Sequence, residues 1–113
     1  MTGAVHLSRR LLLERREKAP DGAGGFATAW VSMGTVWAEV TARTGREDFI
    51  AARPVSRVTY RIRVRATPPG APSRPGPDQR FREGNRVFDI RTVSEADPRG
   101  RYLEIMAEEG ILP

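Results

Sequence analysis

Between Pro54 and Ala66, Val58, Tyr60, Ile62 and Val64 alternate with Arg57, Thr59, Arg61, Arg63 and Arg65. A period of two sustained over this length places alternate side chains on opposite faces, which specifies a β-strand with one dry face. The wet face is almost pure arginine. It is either presented to something negative or is a solvated outer face, and the pattern alone allows both.

A chain of 113 residues is expected to form one domain that buries about two-thirds of its unfolded surface. Its 9 prolines and 11 glycines are spread along the chain, which suits short strands and turns better than a helical bundle. Lys+Arg exceeds Asp+Glu by 19 to 14, giving +5, and only Lys18 is a lysine. Arginine pairs bidentately with carboxylates and phosphates and suits interfaces. A GC-rich genome also favours it, and accounts for much of the bias.

Cysteine is absent, which removes disulfides, thiolate chemistry and cysteine-ligated metals. The lone histidine, His6, sits near a terminus and cannot build a usual zinc or iron site. The acidic pairs Glu47/Asp48 and Glu108/Glu109 fall at an expected helix start and near the chain end, and the serines have no base beside them. The expectation is a non-enzyme without metal or cofactor. No apolar run approaches the roughly 18 residues of a membrane helix, and Leu11–Leu13 is too short and too charged at its flanks for a signal peptide. A cytosol-like compartment and no membrane contact are expected.

The coarse reading is mainly β: a small antiparallel barrel, or a sandwich, of six to seven short strands, one short helix and a long proline-rich loop. Leu7–Arg16 reads as a first strand, with residues 1–6 flexible. Ala19–Gly25 is a turn whose glycines lack the Gly-Lys-Ser/Thr of a phosphate loop. Strands follow at Ala27–Val31 and Val36–Arg43, separated by a kink or bulge at Met33-Gly34. Glu47–Arg53 reads as the helix, with acids in its first turn and Pro54 as its stop. Thr67–Asp78 holds five prolines in twelve residues and reads as an exposed, partly extended loop. Gln79–Arg82 and Arg86–Val93 flank a tight turn at Glu83-Gly84-Asn85, and Asp97–Gly100 turns into a last strand, Arg101–Ala107. The expected core is Trp37, Val58, Tyr60, Ile62, Val64, Phe88, Ile90, Leu103 and Ile105. Phe49 and Ile50 either cover one end of the barrel or anchor in a neighbouring subunit.

The order of these landmarks is that of a known family. Thr35-Val-Trp-Ala-Glu-Val40 is followed by Gly45-Arg-Glu47, Val58-Thr-Tyr-Arg-Ile-Arg-Val-Arg65, Gly84-Asn-Arg-Val-Phe-Asp-Ile-Arg91 and Leu103-Glu-Ile-Met106. The chain resembles, over residues 7 to 109, the bacteriophage head–tail joining proteins, also called head closure, stopper or head–tail adaptor proteins. Gene transfer agents carry relatives. The 67–78 loop is longer than the family's pattern.

The resemblance implies a β-barrel, monomeric when free, that assembles in the particle neck as a ring of about six or twelve copies, closed by rotation. The ring would sit between the portal-bound adaptor and the tail terminator, retain packaged DNA in the head and dock the tail; it would meet the host cytoplasm only during assembly. Candidate interface residues are Arg57, Arg61, Arg63, Arg65, Glu47, Asp48 and Phe49. Two loops are candidates for narrowing the channel, Thr44–Ser56 and Thr67–Asp78. The first, with Thr44, Gly45, Arg46 and Arg53 as candidate channel-facing residues, is preferred because the segment after the Trp-Ala-Glu-Val strand lies toward the lumen in the family. The rival reading is a basic barrel of the OB or SH3-like type that binds nucleic acid. It would need an exposed aromatic beside the arginines, and Tyr60 falls on the opposite face.

Overall fold

The computed structural model describes residues 4–43, 49–50, 53–54 and 58–112. Six strands form a closed antiparallel barrel: β1 (Arg9–Pro20), β2 (Phe26–Arg43), β5 (Thr59–Arg65), β8 (Tyr102–Glu109), β7 (Arg86–Glu95) and β6 (Arg80–Glu83), in that spatial order. The ring closes where Leu12, Leu13 and Glu14 of β1 pair with Arg82, Phe81 and Arg80 of β6. Closure leaves the barrel wall no free edge.

The arginine-striped segment is β5, between β2 and β8. Its Ile62 and Val64 point inward with Leu11, Leu13, Ala38, Phe81, Phe88, Ile90, Leu103, Ile105 and Ala107. Alanines at 38 and 107 leave room for the two phenylalanines, the small-and-large alternation by which narrow barrels fill. Tyr60 is half-buried and meets Phe88 edge-to-face, with centroids 5.1 Å apart.

Two expected core residues lie outside. Trp37 is 54% exposed and Val58 is 46% exposed. Ala38 takes the inward position of β2, so alternation sends Trp37 outward. Val58 precedes the first residue of β5 and escapes the barrel end.

The helix expected over Glu47–Arg53 is also corrected. Phe49–Ile50 (β3) and Arg53–Pro54 (β4) pair as a two-stranded antiparallel sheet, and no helix occurs among the described residues. The segment is too short for its dipole pattern to outweigh the strand preference of Phe49 and Ile50. The proline-rich loop is not extended either. Backbone bonds from Ala71 to Pro68 and from Arg74 to Ala71 fold it into successive turns, Arg74 donates to the Thr67 carbonyl at 2.7 Å, and Pro75 is buried.

The sequence reading also divided β2, which instead runs 18 residues without a break. Met33 is the extra residue of a bulge: Leu13 pairs with Gly34 and Glu14 with Ser32. Gly34 has φ +114, a conformation costly for any residue with a Cβ. β1 and β2 form one long ribbon whose near half belongs to the barrel wall and whose far half, beyond Glu14, pairs with no other strand and leaves the barrel. It raises the radius of gyration to 15.4 Å, against about 13 Å for a compact chain of this length. Asp21 caps its tip by accepting from the backbone N–H groups of Ala23 and Gly25 at 2.8 and 3.0 Å.

These positions predict opposite outcomes for two aromatic truncations. Phe88→Ala should cost about 3–5 kcal/mol through the cavity it leaves. Trp37→Ala should cost under about 1 kcal/mol, as an exposed side chain does. Urea unfolding of the two variants checks both.

Candidate assembly interface

The outer row of β5 is less free than its sequence suggests. Arg63 stands between Glu39 of β2 and Glu104 of β8 and donates to Glu104 through Nε and Nη2, at 3.3 and 3.1 Å. Arg65 lies over the Tyr102 ring, 5.8 Å from its centroid. Arg61 is flanked by Thr41 and Met106, and its Nε is shielded from solvent without an acceptor. Cross-strand neighbours thus engage Arg63 and Arg65 within the chain. Arg57, Glu47, Asp48, Thr44, Gly45 and Arg46 lie outside the described residues; Phe49 and Arg53 belong to the β3–β4 pair.

Other arginines follow the same rule. Arg91, the extra residue of a bulge between Ile90 and Thr92, donates to Glu108 at 2.9 Å. At one end of the barrel, Arg86 donates to Glu109 Oε2 through Nε and to the Tyr60 hydroxyl through Nη2, each at 2.9 Å, while Tyr60 donates to Glu109 Oε1 at 3.1 Å. Arg9 reaches Glu83 nearby, with Nε at 3.0 Å from Oε2. The Arg86 hydrogen bond holds the Glu109 carboxyl below its ordinary value, and the Arg9 hydrogen bond does the same for Glu83. Burial, and then the bond to Glu109, push the Tyr60 hydroxyl up. Tyr60 therefore caps the barrel instead of offering a stacking surface beside the arginines.

The feature that sequence reasoning missed is the root of the ribbon. Arg80 Nε donates to Glu14 Oε1 at 2.7 Å, with the two residues 3% and 5% exposed. Both belong to the outer face, opposite to Leu13 and Phe81. They are buried because Trp30 of the ribbon folds over them: the Arg80 guanidinium lies 4.0 Å from the Trp30 ring centroid, and Arg16 approaches the ring at 5.7 Å. The signal available in sequence was a pair of strand-like runs flanking the glycine-rich turn at 21–25, which together specify a long hairpin.

The ribbon has two distinct faces. Arg10 pairs with Trp37, Glu14 with Ser32, Arg16 with Trp30 and Pro20 with Phe26. The even-numbered β1 residues share one face by alternation. Trp30 and Trp37 are seven residues apart and would point opposite ways in a regular strand. The bulge at Met33 brings them to one side, together with Phe26, which is 70% exposed. Among the described residues there is no His, Cys, Asp and Glu group suited to a metal ion, and no helix is long and apolar enough to cross a membrane.

The described residues thus form a small closed barrel with arginine–carboxylate pairs along its wall and a projecting ribbon. Residues 3–110 match the model of the phage head completion protein family. A chain from the solved structure titled "Virion of native gene transfer agent (GTA) particle" is similar at 43% identity and a TM-score of 0.74, covering 98% of this chain and 100% of that one. No curated protein matches. The chain belongs to the phage head completion proteins, structural components of the head and neck of phage-type particles.

Two outcomes follow from these ion pairs. Glu14→Ala leaves the Arg80 charge buried alone and should cost about 3–5 kcal/mol, much of it recovered when Arg80→Met is added; chemical denaturation of the single and double variants measures this. Glu83 and Glu109 have folded pKa values lowered from 4.5, so their contribution is complete above that value and is lost as pH falls through the lower folded one. The melting temperature should therefore hold from neutral pH to about pH 5 and drop below it. Glu83→Gln combined with Glu109→Gln should flatten that acid limb.

Proposed function

We propose that this chain is a neck protein of a tailed phage or gene transfer agent, forming a ring between the portal-bound adaptor and the tail terminator that retains packaged DNA and docks the tail. The observation that carries this reading is full-length similarity to a chain of a gene transfer agent virion, over both the barrel and its ribbon. The barrel supports it physically. It is closed, it carries arginine–carboxylate pairs around its wall, and each exposed pair contributes only about 0–1 kcal/mol, so pairs can be exchanged with a neighbour at little cost. Contacts of this strength favour assembly on a preformed template, which supplies the effective concentration.

In this reading Arg57, Arg61, Arg63, Arg65, Glu47, Asp48 and Phe49 contribute to contacts between neighbouring copies. The segment between β2 and β5, with Thr44, Gly45, Arg46 and Arg53, faces the channel. The closure of that channel is steric, because basic groups attract DNA instead of repelling it.

Electron microscopy of particles from cells lacking the gene tests the reading. Heads that are full or leaking, beside separate unattached tails, are the expected result. Normal tailed particles would overturn it.

A further inference from the structure

The outer face of the β1–β2 ribbon combines exposed aromatics with unneutralised cations, and the barrel uses neither. Phe26 and Trp37 are both exposed aromatic side chains, and both sit on this face. They lie about 35 Å apart along β2 at the usual strand rise. Around them, Arg10 and Lys18 are exposed cations on the same face, and Arg82 of β6 continues it next to Leu12. Two acids belong to the face: Glu14 is neutralised by Arg80, and Glu39, two residues from Trp37, stands beside Arg63 and accepts the His6 backbone N–H at 3.1 Å. A shallow groove of about 340 Å³, lined by Arg10, Leu12, Thr35, Arg82 and Glu83, runs along its barrel end.

Three occupants can be weighed by chemistry. Duplex DNA is held through phosphates, and aromatic side chains add nothing to that. Single strands stack on aromatics, but the face of Trp30 already carries the Arg80 guanidinium, and Phe26 and Trp37 are too far apart to hold neighbouring bases. A second copy of this chain would need an acidic patch, whereas Glu83, Glu104, Glu108, Glu109 and Asp97 already hold arginines, which leaves Asp21 at the hairpin tip, Glu39 on β2 and Glu95 on β7 as single acids on separate elements. Tryptophan and arginine around a desolvated centre are instead the composition of protein–protein hot spots.

We propose that the outer face of the β1–β2 ribbon is a docking surface for a different protein of the particle, one that presents carboxylates around two apolar pockets. The pockets receive Phe26 and Trp37, and the carboxylates meet Arg10, Lys18 and Arg82. The ribbon is suited to this because its root is fixed: Trp30, stacked on a buried ion pair, sets the direction in which the tip points. The proposal rests on the reading of the chain as a neck component.

Photo-crosslinking in assembled particles tests it, with benzoylphenylalanine in place of Phe26 and the adducts mapped by mass spectrometry. The expected adduct joins this chain to another virion protein at a peptide rich in Asp or Glu, and Arg10→Glu with Lys18→Glu should reduce its yield about tenfold without changing the melting temperature. An adduct to a second copy or to DNA, or no adduct, overturns the proposal. A second arm uses Phe26→Ala with Trp37→Ala, expected to lower the number of tailed particles at least about tenfold while the protein melts normally. If gene loss detaches tails but this double variant assembles fully, the docking surface is wrong and the neck reading stands. If gene loss leaves tailed particles intact, the neck reading itself fails.

Discussion

The contact between Glu14, Arg80 and Trp30 joins two tasks that could have been separate. β1 and β6 pair over only three residues, and that short ladder is what closes the barrel. The same ladder contains Glu14 and Arg80 as a directly opposed pair. Two charges taken out of water cost several kcal/mol each unless the geometry satisfies them, and a 2.7 Å bond with an aromatic lid does so. Trp30 shields the pair only when the ribbon leaves the barrel at one angle. Closure of the wall and direction of the ribbon are thereby set by one interaction.

This coupling explains why a projecting two-stranded ribbon is tolerable. Isolated hairpins are marginal in water, and this one carries no third strand beyond Glu14. Its shaft is supported from the barrel side by the Trp30 stack and by Arg15 Nε donating to Met33 Sδ at 3.1 Å. Its tip is locked by the Asp21 cap. The remaining arginines are arranged differently. On the wall of the barrel they alternate with glutamates on neighbouring strands, so a strongly basic chain presents a largely neutralised wall there. Unneutralised positive charge and exposed aromatic surface coincide on the ribbon.

The barrel was readable because its signal is local. Val58 to Arg65 and Leu103 to Ala107 alternate without interruption, and the Gly84-Asn85 turn announces its hairpin, with glycine at φ +59. Family resemblance rested on the same segments. What escaped was non-local. Trp37 reads as core because tryptophan is large and apolar, but only the phase of β2 against β5 shows that Ala38 takes the inward place. Glu14 and Arg80 are 66 residues apart, and no pattern in either segment reveals that they meet. The bulge at Met33 was visible as Met-Gly, while its effect on the tryptophans needed the pairing register. The helix expected after Gly45 failed because a dipole-matched composition in so few residues carries less weight than the strand preference of Phe49 and Ile50.

The Met33 bulge also sets a rule for how such a chain can vary in length. Adding one residue to each strand of the ribbon beyond Gly34 would turn Phe26 and the tip to the opposite side, away from Trp37. Adding two would extend the reach by about 7 Å and keep the side unchanged. Deleting Met33 itself would leave Glu14 opposite Ser32 and Arg16 opposite Trp30, so the sides would be kept and only the local bend and added twist lost. Related ribbons should therefore differ in steps of four residues, two per strand, apart from the single residue of the bulge. Reach is then free to drift between particles of different dimensions while handedness of presentation is not.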